Sequence, residues 1–170
     1  MTKKLDLTLW PDAHMVSVVR RFAEETFEHV LTDLDAVARI AMTVHELVEN
    51  AAKFSSEGTV HLFMELLEDG RGVVIEVSNR ATPEAHDALR AVFAEMEMAS
   101  DPLTHYHAQL RRAARRTEGS GLGLARVVFE GEMKLTVVFQ GDLVRVRAAM
   151  QPGAADAKAG GRNRIEHQIG

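Results

Sequence analysis

Two stretches of this sequence carry residue types at spacings that suit phosphate chemistry. The first is His45-Glu46-Leu47-Val48-Glu49-Asn50-Ala51-Ala52-Lys53-Phe54-Ser55. Glu46, Asn50 and Lys53 stand at i, i+4 and i+7, so on a helix they form one polar seam beside the apolar stripe. A carboxylate one turn from a carboxamide suits a divalent-metal phosphate site, because Mg²⁺ takes oxygen ligands in octahedral geometry and keeps several waters. Asn50 can supply one oxygen, Glu46 can orient or deprotonate an attacking group, and Lys53 adds positive charge near phosphate. The same spacing describes the solvated face of any amphipathic helix, and taken alone it does not separate the two.

The second stretch is Gly119-Ser120-Gly121-Leu122-Gly123-Leu124. Closely spaced glycines opening a helix leave backbone N–H groups free to wrap an anion, and a side chain there would block the phosphate. Alone, such a loop reads more readily as a tight turn, since glycine is a common turn residue. Other features point to less. His105 and His107 are two apart on a helix and face away from each other, which favours surface positions over a metal pair. Arg111, Arg112, Arg115 and Arg116 read as a solvated basic face, with an acidic partner or phosphate as the alternative. Trp10 anchors the first helix.

The elements that must position these stretches follow from periodicity. Lys4 to Leu9 alternates as a short half-buried strand. Asp12 caps a helix to about Leu31, with Met15, Val18, Val19, Phe22, Phe27 and Val30 as its buried positions. A second helix runs from about Asp35 to Phe54, with a wide apolar stripe of Val37, Ile40, Ala41, Val44, Leu47, Val48 and Ala51. Thr59 to Leu67 and Gly72 to Ser78 form a hairpin across Glu68-Asp69-Gly70-Arg71. The β-branched run Val73, Val74, Ile75, Val77 marks the second of these strands as central. Pro83 opens a helix to about Met98, another spans about Leu103 to Arg116, and a short helix follows the glycines to Gly131. Lys134 to Phe139 and Val144 to Met150 close a last hairpin across Gly141-Asp142. Helices are not interleaved one per strand, so an α+β architecture is expected: a mixed, mainly antiparallel sheet with helices on one face.

Composition agrees with one such domain over residues 1–150. The chain has 170 residues, 46% apolar and 26% charged, and no cysteine, which excludes disulfides and thiolate metal sites. The formal net charge of −5 argues against a nucleic-acid coat. No segment is long and apolar enough to span a bilayer, and the N-terminus lacks the apolar run of a signal peptide, so a cytoplasmic protein without a membrane partner is expected. Residues 151–170 turn to Gly, Ala and charge and are expected to be disordered.

Together the two stretches are far more specific than either alone. Glu46-x-x-x-Asn50-Ala51-x-Lys53-Phe54-Ser55 resembles the N box of histidine kinases and anti-sigma-factor serine kinases, and Gly119 to Ala125 resembles their second glycine box. The order is right, with strands between them and a helical lid segment before the glycines, and the resemblance covers Lys4 to Met150. The chain thus resembles the GHKL family (gyrase, heat-shock chaperone, histidine kinase, MutL), and in form the anti-sigma-factor serine kinases. That resemblance implies a two-layer α/β sandwich of the Bergerat type, with ATP–Mg²⁺ held between the N-box helix and the lid. Asn50 would coordinate Mg²⁺, Glu46 would act as base, Lys53 would sit near phosphate, and the backbone of Gly119, Ser120, Gly121, Leu122 and Gly123 would hold phosphates. Met96 and Met98 would pack the lid. His45 is not a phosphoacceptor by this reading, because the residues after it form the N box.

One family feature is missing. Where an Asp-x-Gly-x-Gly box should receive adenine, this chain reads Val77-Ser78-Asn79-Arg80-Ala81-Thr82-Pro83. Asn79 can accept one hydrogen bond from the base, without charge, at a cost of about 1.5–3 kcal/mol, or roughly tenfold to a hundredfold in affinity. Two functions are therefore expected to compete. One is an ATP–Mg²⁺-binding signalling domain that binds or phosphorylates a protein partner, a sigma factor or a STAS-domain antagonist, as a GHKL-type serine/threonine kinase; a homodimer is compatible with it. The other is an adaptor of the same fold that has lost nucleotide and works through protein contacts alone.

Overall fold

An apolar stripe on a long helix and alternation in five short segments have a common solution, a helical layer laid on a sheet. In the computed structural model, residues 3–10, 12–67, 72–114, 122–150 and 164–166 are described. Their elements run β1 (Lys3–Leu9), α1 (Ala13–Glu28), α2 (Leu34–Phe54), β2 (Ser55–Leu66), β3 (Val73–Ala81), α3 (Pro83–Met98), α4 (Pro102–Ala113), α5 (Leu122–Phe129), β4 (Lys134–Gln140), β5 (Leu143–Met150) and β6 (Arg164–Glu166). Up to Met150 this is the expected order. The sheet order is β1-β2-β3-β5-β4-β6, antiparallel throughout except between β4 and β6. The architecture is α+β, a two-layer sandwich.

Strand register shows how the core is assembled. Leu7, Leu62, Val77, Val146 and Val137 are cross-strand partners, one apolar row spanning five strands. The period of two then puts Leu5, Met64, Ile75, Ala148 and Leu135 in the parallel row beside it. The opposite face is polar, with Lys4 paired to Glu65 at 3.2 Å and Arg145 to Glu76 at 3.1 Å. Across the apolar rows lies α2, burying Val37, Ile40, Val44, Leu47, Val48 and Ala51 as its stripe requires. Its start is set by Asp33, whose carboxylate accepts the backbone N–H groups of Asp35 and Ala36.

Two expectations for α1 need correction. Val18 and Phe22 are 37% and 39% exposed, whereas Val16, Val19, Ala23 and Phe27 are buried. The sequence offers two overlapping apolar faces on this helix, and only the i, i+3, i+7, i+11 face meets α2 and the sheet. Trp10, expected to anchor the helix, is 65% exposed. In the segment expected to be disordered, Arg164–Glu166 pairs with Thr136–Val138 as β6; residues 151–163 and 167–170 lie outside the described residues. The turn 68–71 also lies outside them.

The helical pair α3–α4 is built with matching starts. Thr82 and Asp101 cap the two helices, each followed by Pro at the first helical position. At the other end of the sheet the β4–β5 turn, with Gly141 at φ 59°, reaches the base of α3. Asp142 accepts the Ala81 backbone N–H and the His86 Nε2–H through its carbonyl, and its carboxylate pairs with Arg80 at 2.5 Å. The two helices are joined by Glu95, which accepts from Gln109 Nε2 at 3.0 Å and from Arg112 Nη1 at 2.6 Å. Arg112, expected on a solvated face, is thus committed to α3.

The Arg112 hydrogen bond holds the Glu95 carboxyl below the ordinary glutamate value near 4.5. A depressed native pKa means its stabilisation is complete above that ordinary value and is lost as pH falls through the native one. Glu95→Gln should therefore lower the urea midpoint at neutral pH by an amount worth ~0.2–1 kcal/mol, as for an exposed pair. The difference from wild type should narrow as pH falls below 4.5 and through the lowered native value; a pH-independent difference would remove the ion pair as its cause.

Candidate functional site

Along α2 the polar seam does not meet one environment. Lys53, in the last turn, is exposed and lies 5.7 Å from the Phe54 ring centroid. Asn50, one turn earlier, is half-buried and faces a hollow between α2, α3 and the sheet. Glu46, a further turn back, is 7% exposed and is covered by α5. The seam residues are thus spread from solvent to the interior along one helix edge.

The hollow beside Asn50 is walled by Leu47 and Ala51 of α2, Leu89 of α3, and Val77, Val144 and Val146 of the sheet. Asn79 joins them, and strand register shows why this is unusual. Leu9, Val60, Asn79, Val144 and Phe139 form one cross-strand row on the core side of the sheet. Asn79 is the only polar member of that row and is 6% exposed. A buried carboxamide among apolar side chains is costly unless its groups find partners. Its Nδ2 donates to the Arg80 carbonyl at 3.1 Å. The hollow has a volume of about 10 Å³, room for roughly one water. Its lining is otherwise apolar, with the two amides, Asn50 and Asn79, at its polar positions.

Glu46 is held differently. Its Oε1 accepts from Arg126 Nη1 of α5 at 2.5 Å. Its Oε2 lies 2.5 Å from where a β-carbon on Gly123 would stand. Burial pushes the Glu46 carboxyl up, and the Arg126 guanidinium pulls it down less strongly. Arg126 in turn binds Glu130 through Nε and Nη2 at 3.3 and 3.2 Å. Tyr106 of α4 donates its phenolic O–H to the same Glu130. Sequence reasoning missed Arg126, Glu130 and Tyr106. The spacing of Arg126 and Glu130 is a visible i, i+4 pair, but nothing local marks its link to a carboxylate 80 residues away.

Among the expected phosphate-binding residues, Leu122 and Gly123 are the first two of α5 and half-buried. Gly119, Ser120 and Gly121 lie outside the described residues, as do Arg115 and Arg116. Gly123 has a function of its own, since only a residue without Cβ lets α5 approach Glu46 this closely. Among the described residues, no group of three or more His, Asp or Glu side chains is gathered to hold a metal. His105, expected at the surface, is buried, and burial lowers its pKa despite Glu95 nearby. Glu46 is engaged by Arg126 through Oε1.

Gly123→Ala should destabilise the protein by about 1–3 kcal/mol, since Glu46 is tied to Arg126 and cannot swing aside at little cost. In a Glu46→Ala background the same change should become neutral, or stabilising by up to about 1 kcal/mol through helix propensity. Chemical denaturation of the four proteins of the cycle checks this; equal penalties in both backgrounds would mean that Glu46 is not the obstacle.

No family model and no curated protein matches this chain. Among solved structures, the fold is similar to a chain of the SiaB–SiaC complex from Pseudomonas aeruginosa. The TM-score is 0.64 at 14% sequence identity, over 86% of this chain and 89% of that one. At that identity the likeness is one of fold.

Proposed function

We propose that this chain is an ATP–Mg²⁺-binding regulatory domain of the GHKL type that acts in signalling through a protein partner. The observation that carries the reading is Asn79, a buried amide set in an otherwise apolar cross-strand row and lining the same hollow as Asn50. Apolar walls suit the faces of a purine, and an amide oxygen at the base of the hollow suits its exocyclic amine. Asn50 stands one helical turn nearer the Glu46 end of α2, where Mg²⁺ and phosphates would lie. The hollow takes about one water as it stands, so entry of a base requires α3 to swing outward from the sheet. Coupling of nucleotide to the α3–α4 pair is what a signalling switch needs.

The partner is proposed to be a protein such as a sigma factor or a STAS-domain antagonist. The similar fold in the SiaB–SiaC complex, a protein assembly, supports partner binding, and among the described residues no helix is long and apolar enough to cross a membrane. Phosphotransfer is a further step. Glu46 can serve as base only after Arg126 releases it, so the arrangement described is a resting one.

A second reading is an adaptor without nucleotide. It is favoured by the small hollow and by the amide where the family has a charged aspartate. Thermal melting separates the two. At 100 times its dissociation constant, ATP–Mg²⁺ should add about 2.7 kcal/mol, or roughly 5–10 °C for a domain of this size. Asn50→Ala should abolish the shift. Asn79→Asp, which restores a charged acceptor, should tighten ATP about tenfold or more. No shift for either wild type or Asn79→Asp at millimolar ATP–Mg²⁺ would leave the adaptor reading.

A further inference from the structure

Three helices distant in sequence meet through one chain of polar contacts. It runs from Tyr106 on α4 to Glu130 just past the end of α5, to Arg126 on α5, to Glu46 on α2. Each link uses a different donor group. The Tyr106 hydroxyl donates to Glu130 Oε1, while Arg126 donates to Glu130 Oε2 through Nε and Nη2 and keeps Nη1 for Glu46. The Tyr106 ring also stacks on Phe129, with centroids 5.0 Å apart and planes 23° from parallel. Gly123 lets α5 close on Glu46 at the other end.

Among these four residues only the Arg126 guanidinium can bridge two carboxylates in fixed directions, because its planar fork offers separate N–H groups to each. Glu46 itself is 7% exposed, so loss of Arg126 would leave a carboxyl largely shielded from solvent without its cation. We infer that Arg126 is a positioning residue for the N-box carboxylate and that Tyr106, Glu130 and Arg126 make α4, α5 and α2 move as one unit. Movement of the lid helix α4 is thereby transmitted to Glu46, and a change at Glu46 is felt on α4. The coupling operates through a contiguous set of side-chain contacts. It does not depend on nucleotide binding, so it can fail while the ATP reading stands, and stand while that reading fails.

Hydrogen exchange of the whole chain without nucleotide tests it. Arg126→Gln should raise exchange threefold or more across both α4 and α5, while α1 and the β1–β2 pair stay at wild-type rates. Tyr106→Phe, which keeps the ring on Phe129 and removes the hydroxyl, should do the same to a smaller extent. The double variant should match the larger single effect, because both changes break one chain. Arg126→Lys, with charge but no fork, should behave as Arg126→Gln rather than as wild type. As a readout that loosened packing alone would not move, the ¹³C resonance of the Glu46 carboxyl should shift in Tyr106→Phe, although Tyr106 does not touch Glu46. Wild-type exchange on α4 in Arg126→Gln, multiplicative effects in the double variant, or an unmoved Glu46 resonance would each overturn the proposal. If Arg126→Gln fails to fold, the Tyr106→Phe resonance alone decides.

Discussion

The packing of α2 on the apolar rows of the sheet is the constraint on which the rest of the structure depends. A helix lying on a sheet can bury one stripe, and α2 spends its stripe on Val37, Ile40, Val44, Leu47, Val48 and Ala51. Residues at the border of the stripe cannot all go to solvent or all go inside. Glu46, Asn50 and Lys53 sit on that border, and their fates differ because different elements flank the helix along its length. Near Glu46 the neighbour is α5, near Asn50 it is α3 and the sheet, and near Lys53 it is solvent.

The same logic explains two of the polar groups buried in the interior, Asn79 and Glu46. Asn79 is buried in an apolar row, yet it is a small neutral amide with a local partner in the Arg80 carbonyl. An aspartate there would keep its charge in low dielectric only with a cation or a ligand donor close by. Glu46 is charged and buried, and it is matched by Arg126, whose charge is in turn shared with Glu130. Hydrogen bonding to Glu130 pushes the Arg126 pKa further up, so the cation persists across the physiological range. Tyr106, whose phenol the Glu130 carboxylate pushes up, remains a donor. Arg126, Glu130 and Tyr106 therefore keep their charge states, while burial pushes the Glu46 carboxyl up.

The lid pair has the opposite character. Beyond the Leu89–Phe93–Met96 stripe of α3, α4 buries only His105 and Gln109 within its own span. Its hold on the domain comes from Glu95 on one side and from Tyr106 and α5 on the other. Elements with few buried apolar groups open at low free energy. An element so held suits a part that moves when a ligand or partner arrives, and its two polar attachments decide what moves with it.

Much of this was legible from the residues. Strand and helix periods, Asp and Thr caps, Pro at first helical positions and the glycine turn at Gly141 are local chemistry, and local chemistry sets element type and order through Met150. The i, i+4, i+7 seam on α2 was visible for the same reason. What the sequence could not decide was which neighbour each seam residue would meet. Two apolar faces on α1 look equivalent until α2 selects one, which is why Val18 and Phe22 end exposed. Asn79 stands out in the sequence only by the motif it replaces; register places it among Leu9, Val60, Val144 and Phe139. At Gly123 packing adds a close approach of α5 to Glu46, and the link from Arg126 to Glu46 has no mark in the local sequence. Period and capping depend on residues a few positions apart, so the sequence alone determined them; the partners of Glu46, Asn79 and Arg126 lie tens of residues away, and only tertiary packing brings them within hydrogen-bonding distance.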